Sequence, residues 1–412
     1  MNKIRNSPLV FGLFLIPYGI VKIFNFIQKG IHFSHDYYTE TSRHLFLVAA
    51  LLLLLGVIWS GLLKSPKLNV LPVKLVRYWW VGFTFIVLLS LGLVIYINPH
   101  ARFGGAIFPP ITPNARYIKR ELYRRKVDAT EIVILGSSRA FTLSPKYIEK
   151  KTGYSAFNMS VEGGNVFDYS VQLNFILKSN IIPRVIVVDT DPPTFSDNPL
   201  VLDLQPLTLI PYMPTTSAFS VAEKSLQDIL SVQSISDSFF VLTLATRRNL
   251  KRTWTFKEDG LSVRKPLTHQ QYITLLPTTI ENQMAVILCS RIDSSVKEMF
   301  EAMIKLAEAN NVAIVLYESP MNATFYKTAY ERDPERFIAC RRLIGDYLLS
   351  LSDAHPNVFF RDLSDYKMVN DLEEEGFYDA VHLRPGAAEL VVDALIPEIE
   401  SAMAWSLEES KK

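Results

Sequence analysis

The chain has 412 residues, more than one ordinary domain needs, and a formal net charge of only +2, so its overall balance does not point to nucleic acid. Hydrophobic residues make up 49% of it, but the long apolar runs crowd into the N-terminal quarter and the remainder reads as an ordinary soluble domain. The two cysteines, Cys289 and Cys340, form no CxxC or Cys/His pattern, which argues against a zinc site or a disulfide framework; one bridge between them and two buried thiols both stay open.

In chain order, residues 8–27 form a first apolar stretch, interrupted by Pro17 and Lys22. Residues 45–63 run for nineteen positions without a charge, and residues 78–97 form a run of similar length that opens with Tyr78, Trp79 and Trp80. About 20 apolar residues cross the hydrocarbon core of a bilayer, so the last two runs are expected to span and the first is a third candidate, with an interfacial helix as its alternative. Lys64, Lys67, Lys74 and Arg77 lie between the two strong runs without an intervening acid. The positive-inside rule puts that loop in the cytoplasm, so everything after Asn98 is expected outside it, in the periplasm or the extracellular space. Residues 1–97 therefore read as a multi-pass cell-membrane region in contact with lipid.

Residues 98–127 read as a proline- and glycine-rich linker followed by a basic helix over 117–126, a charge run expected to be solvated near lipid headgroups, with an anionic-polymer site as the sharper alternative. From there, over 128–405, apolar runs alternate with helical patterns. Strands are expected at 131–135, 155–161, 184–189, 312–317 and 358–360, and helices at 165–178, 293–310, 334–350 and 386–404. This alternation predicts an α/β domain with a central parallel five-stranded sheet and helices on both faces. Residues 196–290 break the pattern without a clear period and read as an insert that covers or shapes a site.

Ligands in such sheets bind beyond the carboxyl ends of the strands. Gly136-Ser137-Ser138-Arg139 follows the first strand, where a serine on a tight turn exposes its hydroxyl and its own N–H, as a nucleophile requires. Asp379-Ala380-Val381-His382 precedes the last helix, at a spacing that lets the carboxylate hold the imidazole while the other ring nitrogen serves as base. Taken alone, each motif is common: Gly-Ser-Ser is usually only a turn, and His382 is more often a satisfied structural histidine. Both would sit at one edge of one sheet, and that coincidence carries the functional reading.

These residues resemble the SGNH hydrolase superfamily, and within it the membrane-anchored DltD-like and AlgJ-like envelope acylation proteins. The resemblance runs from about Glu131 to Pro397 and leaves the insert unmatched. It implies a three-layer, flavodoxin-like fold with Ser138 as nucleophile, His382 as base and Asp379 as its orienting acid. Asn158 to Gly164 is similar to the family block whose glycine N–H binds the oxyanion, a role for Gly163 or Gly164, and Ser319-Pro320-Met321-Asn322 resembles a segment that lines the site. The family usually adds an oxyanion-binding asparagine after the third strand. Here that place reads Asp189-Thr190-Asp191, and an ionised carboxylate opposes an oxyanion. Asn165, Asn322 and Arg139 are the candidate replacements, while an Arg139–Asp191 ion pair is the structural alternative for that arginine. The resemblance further implies serine-dependent O-acyl transfer to or from a cell-envelope polysaccharide or teichoic-acid-like polymer, without metal or diffusible cofactor, together with a membrane-bound O-acyltransferase (MBOAT-type) partner. A carbohydrate or lipid esterase and a non-catalytic polymer-binding scaffold are the rival readings.

Overall fold

The computed structural model describes residues 71–412, apart from 104–107, 109, 112–113, 127–129, 180, 196–204, 230, 248–253 and 265–266. The described chain divides into two compact units. One holds helix α1 (Leu71–Ile97), through Pro99, with Leu226–Arg248; the other holds His100–Ser225 with Asn249–Lys412.

In the first unit, Trp79–Ile97 is long and apolar enough to cross a membrane, and little of it is buried. The helix begins seven residues before the expected run, so Lys74 and Arg77 belong to its first turns rather than to a loop. The stretches 8–27 and 45–63 lie outside the described residues. Helix α6 (Val232–Arg247) packs against α1.

The second unit is built on a five-stranded sheet of β1 (Ile132–Leu135), β2 (Ala156–Asn158), β3 (Val185–Thr190), β6 (Ala313–Glu318) and β7 (Val358–Asp362). The strand order is β2-β1-β3-β6-β7 and every pairing is parallel. Residues of β1, β3 and β6 are buried without exception, because a parallel sheet covered by helices has no wet face. Their side chains alternate with a period of two. Val133, Leu135, Ile186, Val188, Ile314 and Leu316 enter one core. That core is closed by α4 (Val166–Leu177), α8 (Ser294–Glu308) and α10 (Pro334–Ala354). The alternate residues Ile132, Ile134, Val185, Val187, Ala313 and Val315 enter the other, closed by α3 (Pro145–Thr152) and α11 (Pro385–Glu409). The chain turns outward in opposite directions after β1 and after β3, which opens a crevice at their carboxyl ends.

The insert is more regular than its sequence pattern implies. It holds α5 (Thr215–Ile229), α6, a hairpin of β4 (Trp254–Phe256) and β5 (Ser262–Arg264), and α7 (His269–Ile287), which starts on a Thr268/Gln271 capping box. Helix α7 joins a third apolar cluster with Phe325, Phe337 and Val381, and a Cys289–Cys340 disulfide fastens the segment after α7 to α10. Of the two possibilities left open for the cysteines, the structure shows the bridge.

Basic helix α2 (Ala115–Arg125) departs from its expected role as a solvated charge run: Arg116, Lys119 and Arg120 are buried. Arg116 forms a bidentate pair with Asp168 at 2.7 Å for both contacts, and Lys119 donates to Asn158 Oδ1 at 3.0 Å. The buried acceptors Asp168 and Asn158 recruit these cations, themselves at helical spacing, inward, where an unpaired charge would be costly. Burial pushes the Lys119 ammonium down to about 7.

Candidate active site

The nucleophile turn is set by close backbone approach. A Cβ on Gly136 would lie 2.7 Å from the Asp189 side chain and 2.8 Å from that of Ala140, and a Cβ on Gly164 would lie 2.5 Å from the Gly136 carbonyl oxygen. Only glycine lets the segment after β2 lie this close to the segment after β1. The Val161 N–H donates to that same Gly136 carbonyl at 2.9 Å. Ser138 then opens a short 3-10 turn, Ser138–Thr142, capped by the Ser137 hydroxyl, which accepts from the Arg139 N–H. Asn158 holds the turn from below, its Nδ2 donating to the carbonyls of Ala140 at 2.8 Å and Leu143 at 3.0 Å.

On the facing loop, Tyr378 N–H donates to the His382 carbonyl at 2.7 Å, and the Arg384 side chain donates to the Phe377 carbonyl at 2.9 Å. The Thr142 hydroxyl donates to the Leu383 carbonyl at 3.1 Å, which ties this loop to the nucleophile turn. His382 Nε2 thereby comes to 2.8 Å from Ser138 Oγ, and His382 Nδ1 lies 2.8 Å from both oxygens of Asp379. Asp379 also accepts from the backbone N–H groups of Val381 and His382, at 3.1 and 3.0 Å. Burial opposes its ionisation, but the His382 hydrogen bond and charge, helped by those two amides, outweigh burial and hold the carboxyl well below its usual range. A permanent carboxylate on one side of the imidazole fixes its tautomer with the other nitrogen toward the serine hydroxyl.

Around this relay the structure sorts the other candidates. Gly164 N–H is occupied by the Val161 carbonyl at 3.2 Å, while Gly163, at φ +55°, has an amide with no hydrogen-bond partner among the described residues. Asn322 is fully buried and committed elsewhere: its Oδ1 caps α9 (Ala323–Arg332) and its Nδ2 donates to the Tyr272 hydroxyl at 3.1 Å. Arg139 is turned into the fold, where its Nε lies 3.0 Å from Asp191, both side chains being almost fully buried. This is the ion pair expected as the structural alternative for Arg139, made through Nε alone. Asn165 is different. Its Oδ1 caps α4 by accepting from Phe167 and Asp168 N–H groups, which leaves its Nδ2 as a donor without a protein partner among the described residues.

Asp189, beneath the turn, accepts from the Ser137 hydroxyl at 3.2 Å and from the Ser319 hydroxyl. Burial, reinforced by the charge of Asp191, pushes its carboxyl up to about 7. One residue at the relay had no sequence signal. Arg264, at the end of β5, donates to Asp379 Oδ2 at 3.3 Å. Its hairpin is seated by Gly260, whose φ of +79° and absent Cβ let the turn meet the Asn158 carbonyl, 2.1 Å from where a Cβ would stand. A lone arginine in an aperiodic insert offers nothing to single it out; a Lys-Glu-Asp-Gly turn between two short β-prone runs was the available hint.

A family described as protein of unknown function (DUF1574) matches residues 117–208, a minority of the chain. No curated protein matches it significantly. Among solved structures, a Bacteroides fragilis protein assigned by inference as an acylhydrolase aligns over 70% of this chain and 98% of its own, at 10% identity and a TM-score of 0.34. A Streptococcus pneumonia protein described, likewise by inference, as a platelet activating factor aligns over 81% and 100%, at 12% identity and a TM-score of 0.34. At these values neither neighbour informs the chemistry, which rests on the geometry above.

Proposed function

We propose that this chain is a membrane-anchored serine O-acyltransferase or esterase of the SGNH type, acting on the cell envelope. The observation that carries the reading is the unbroken relay from Ser138 Oγ through His382 to Asp379, assembled from residues 244 positions apart. In this reading Ser138 Oγ attacks an ester carbonyl as His382 Nε2 takes its proton. The tetrahedral intermediate collapses, the C–O bond to the alcohol breaks, and His382 returns the proton to the departing oxygen. An acceptor hydroxyl or water then attacks the acyl-serine by the same route in reverse.

The Ser138 and Gly163 amides and Asn165 Nδ2 receive the oxyanion, so Asn165 takes the part that Asp191 cannot play. The acceptor is a glycan or lipid-linked polymer of the envelope, and an MBOAT-type membrane acyltransferase supplies the acyl group. Three observations support an outward-facing anchored enzyme: the apolar helix Trp79–Ile97, the run of basic residues before it in sequence, and a disulfide, which suits an oxidising compartment. Polymer acyl content in a deletion strain and in a Ser138→Ala strain tests the reading. A fall in both indicates transfer, a rise indicates removal, and unchanged acylation in both contradicts it.

A further inference from the structure

Helix α6 is amphipathic the wrong way round for water. Ser234, Ser238 and Val241, at spacings of four and three, share one face, and all are buried, at 2%, 0% and 0% exposure. On the opposite face Val232, Phe239 and Phe240 are exposed at 46%, 56% and 51%. A helix on a water-soluble domain turns its aromatic residues inward and its serines outward. Here small side chains are the buried ones and large apolar ones are left outside, with Thr243 beside them, an arrangement found in helices that pack through small side chains in lipid.

The hydroxyls agree with this. Ser238 Oγ donates to the Ser234 carbonyl at 2.7 Å and Thr243 Oγ1 to the Phe239 carbonyl at 2.9 Å, so each is satisfied within the helix and needs no water.

The surface on which α6 rests supplies the occupant. Helix α6 packs against α1, whose outer faces expose Phe85, Ile86, Leu88 and Leu89 at 61–65%. Helix α6 therefore adjoins a helix long and apolar enough to span a bilayer, and both expose large apolar side chains. Sixteen residues extend about 24 Å, short of the ~30 Å hydrocarbon core. The chain on both sides of 226–248 belongs to the other unit, so α6 must enter and leave on one side. Gln233 and Asp237, hydrogen-bonded to each other at 2.8 Å, mark one edge of the helix as polar. In sequence it runs into Arg247, Arg248, Lys251 and Arg252, cations suited to anionic headgroups.

We infer that the insert returns to the membrane through α6, a helix lying in the bilayer interface with Val232, Phe239 and Phe240 among the acyl chains. The inference rests on the reading of α1 as a membrane span. It gives this part of the insert a lipid-binding role, beside the β4–β5 hairpin and α7, which reach Asp379 and Asn322.

The test uses the full chain in vesicles of phosphatidylethanolamine and phosphatidylglycerol. A nitroxide is attached at single cysteines, Phe240→Cys on α6, Phe85→Cys on α1 and Leu349→Cys on α10, and its collisions with oxygen and with a water-soluble nickel chelate are compared. Oxygen-to-nickel accessibility at 240 should match that at 85 and exceed that at 349 severalfold. A value at 240 matching 349 overturns the inference, as does exclusion of both reagents at 240, which would mean a protein contact covers the face. A water-like value at 85 would overturn the membrane reading of α1 itself, and the inference with it.

Discussion

Helices α8 and α6 have nearly the same length and opposite sidedness. On α8 the buried face is Phe300, Met303, Ile304 and Ala307, and it closes the sheet from one side. On α6 the buried face is, among the described side chains, two serines and a valine, with two phenylalanines outside. The comparison teaches that apolar content alone does not say where a helix sits; the face that carries it does, because water and lipid reverse which side chains are turned away from a neighbour. The sheet-bearing unit follows the rule for water, and every member of the relay, and the arginine that touches it, lies in that unit.

The largest effect expected from this contrast is on turnover. His382→Ala should slow hydrolysis of a small water-soluble ester by about 10⁶-fold, as loss of the base histidine does in a serine triad, while Phe240→Ser leaves that rate unchanged. Steady-state kinetics on both variants would show whether the site needs the membrane-facing helix. Next comes stability. Phe300→Ala should cost about 3–5 kcal/mol in denaturant unfolding of the sheet-bearing unit, and Phe240→Ala less than about 0.5 kcal/mol, since only the first opens a cavity.

Slightly smaller is Asn165→Asp, which keeps the acceptor that caps α4 and removes the Nδ2 donor. It should lower kcat by about 10²–10³-fold with the melting temperature preserved, whereas loss of both together would make Asn165 a cap and nothing more.

The smallest effect is a pH slope. Glu318, at the carboxyl end of β6, is pushed up to about 8, by burial first and then by the charge of Asp362. Asp189 is pushed up to about 7. A carboxyl raised in the folded state binds more protons there than in the unfolded chain, so its stabilising contribution is full below about pH 4 and fades as pH rises toward 8. Glu318→Gln should flatten the fall in unfolding free energy between pH 5 and 8, measured by denaturant titration at each pH.

Much of the sheet-bearing unit was legible in the sequence because a parallel strand is a short apolar run bounded by turn residues, and Ile132–Leu135, Val185–Thr190 and Ala313–Glu318 sit within a residue or two of where those runs put them. Ser138 was nameable because its turn follows a strand end, and Asp379 and His382 because their spacing falls just before the last helix. The inward course of Arg116 and Lys119 was not legible, since charge on a helix reads as solvent exposure unless the buried acceptors Asp168 and Asn158 are known in space. The insert hid α6 because its buried face carries serines and its exposed face phenylalanines, which blurs the apolar stripe that marks a helix packed on a core. Sequence had no means to choose among Asn165, Asn322 and Arg139; Asn322 is bonded to Tyr272 and Arg139 is buried against Asp191, while Asn165 Nδ2 has no partner among the described residues, which is why the proposal gives it the oxyanion.

The account stands most directly on the acyl-serine. Purified full-length protein treated with a fluorophosphonate should gain one adduct, located by peptide mass spectrometry on Ser138, and Ser138→Ala should gain none. Folded wild-type protein that takes no label, or label that persists in Ser138→Ala, would contradict it.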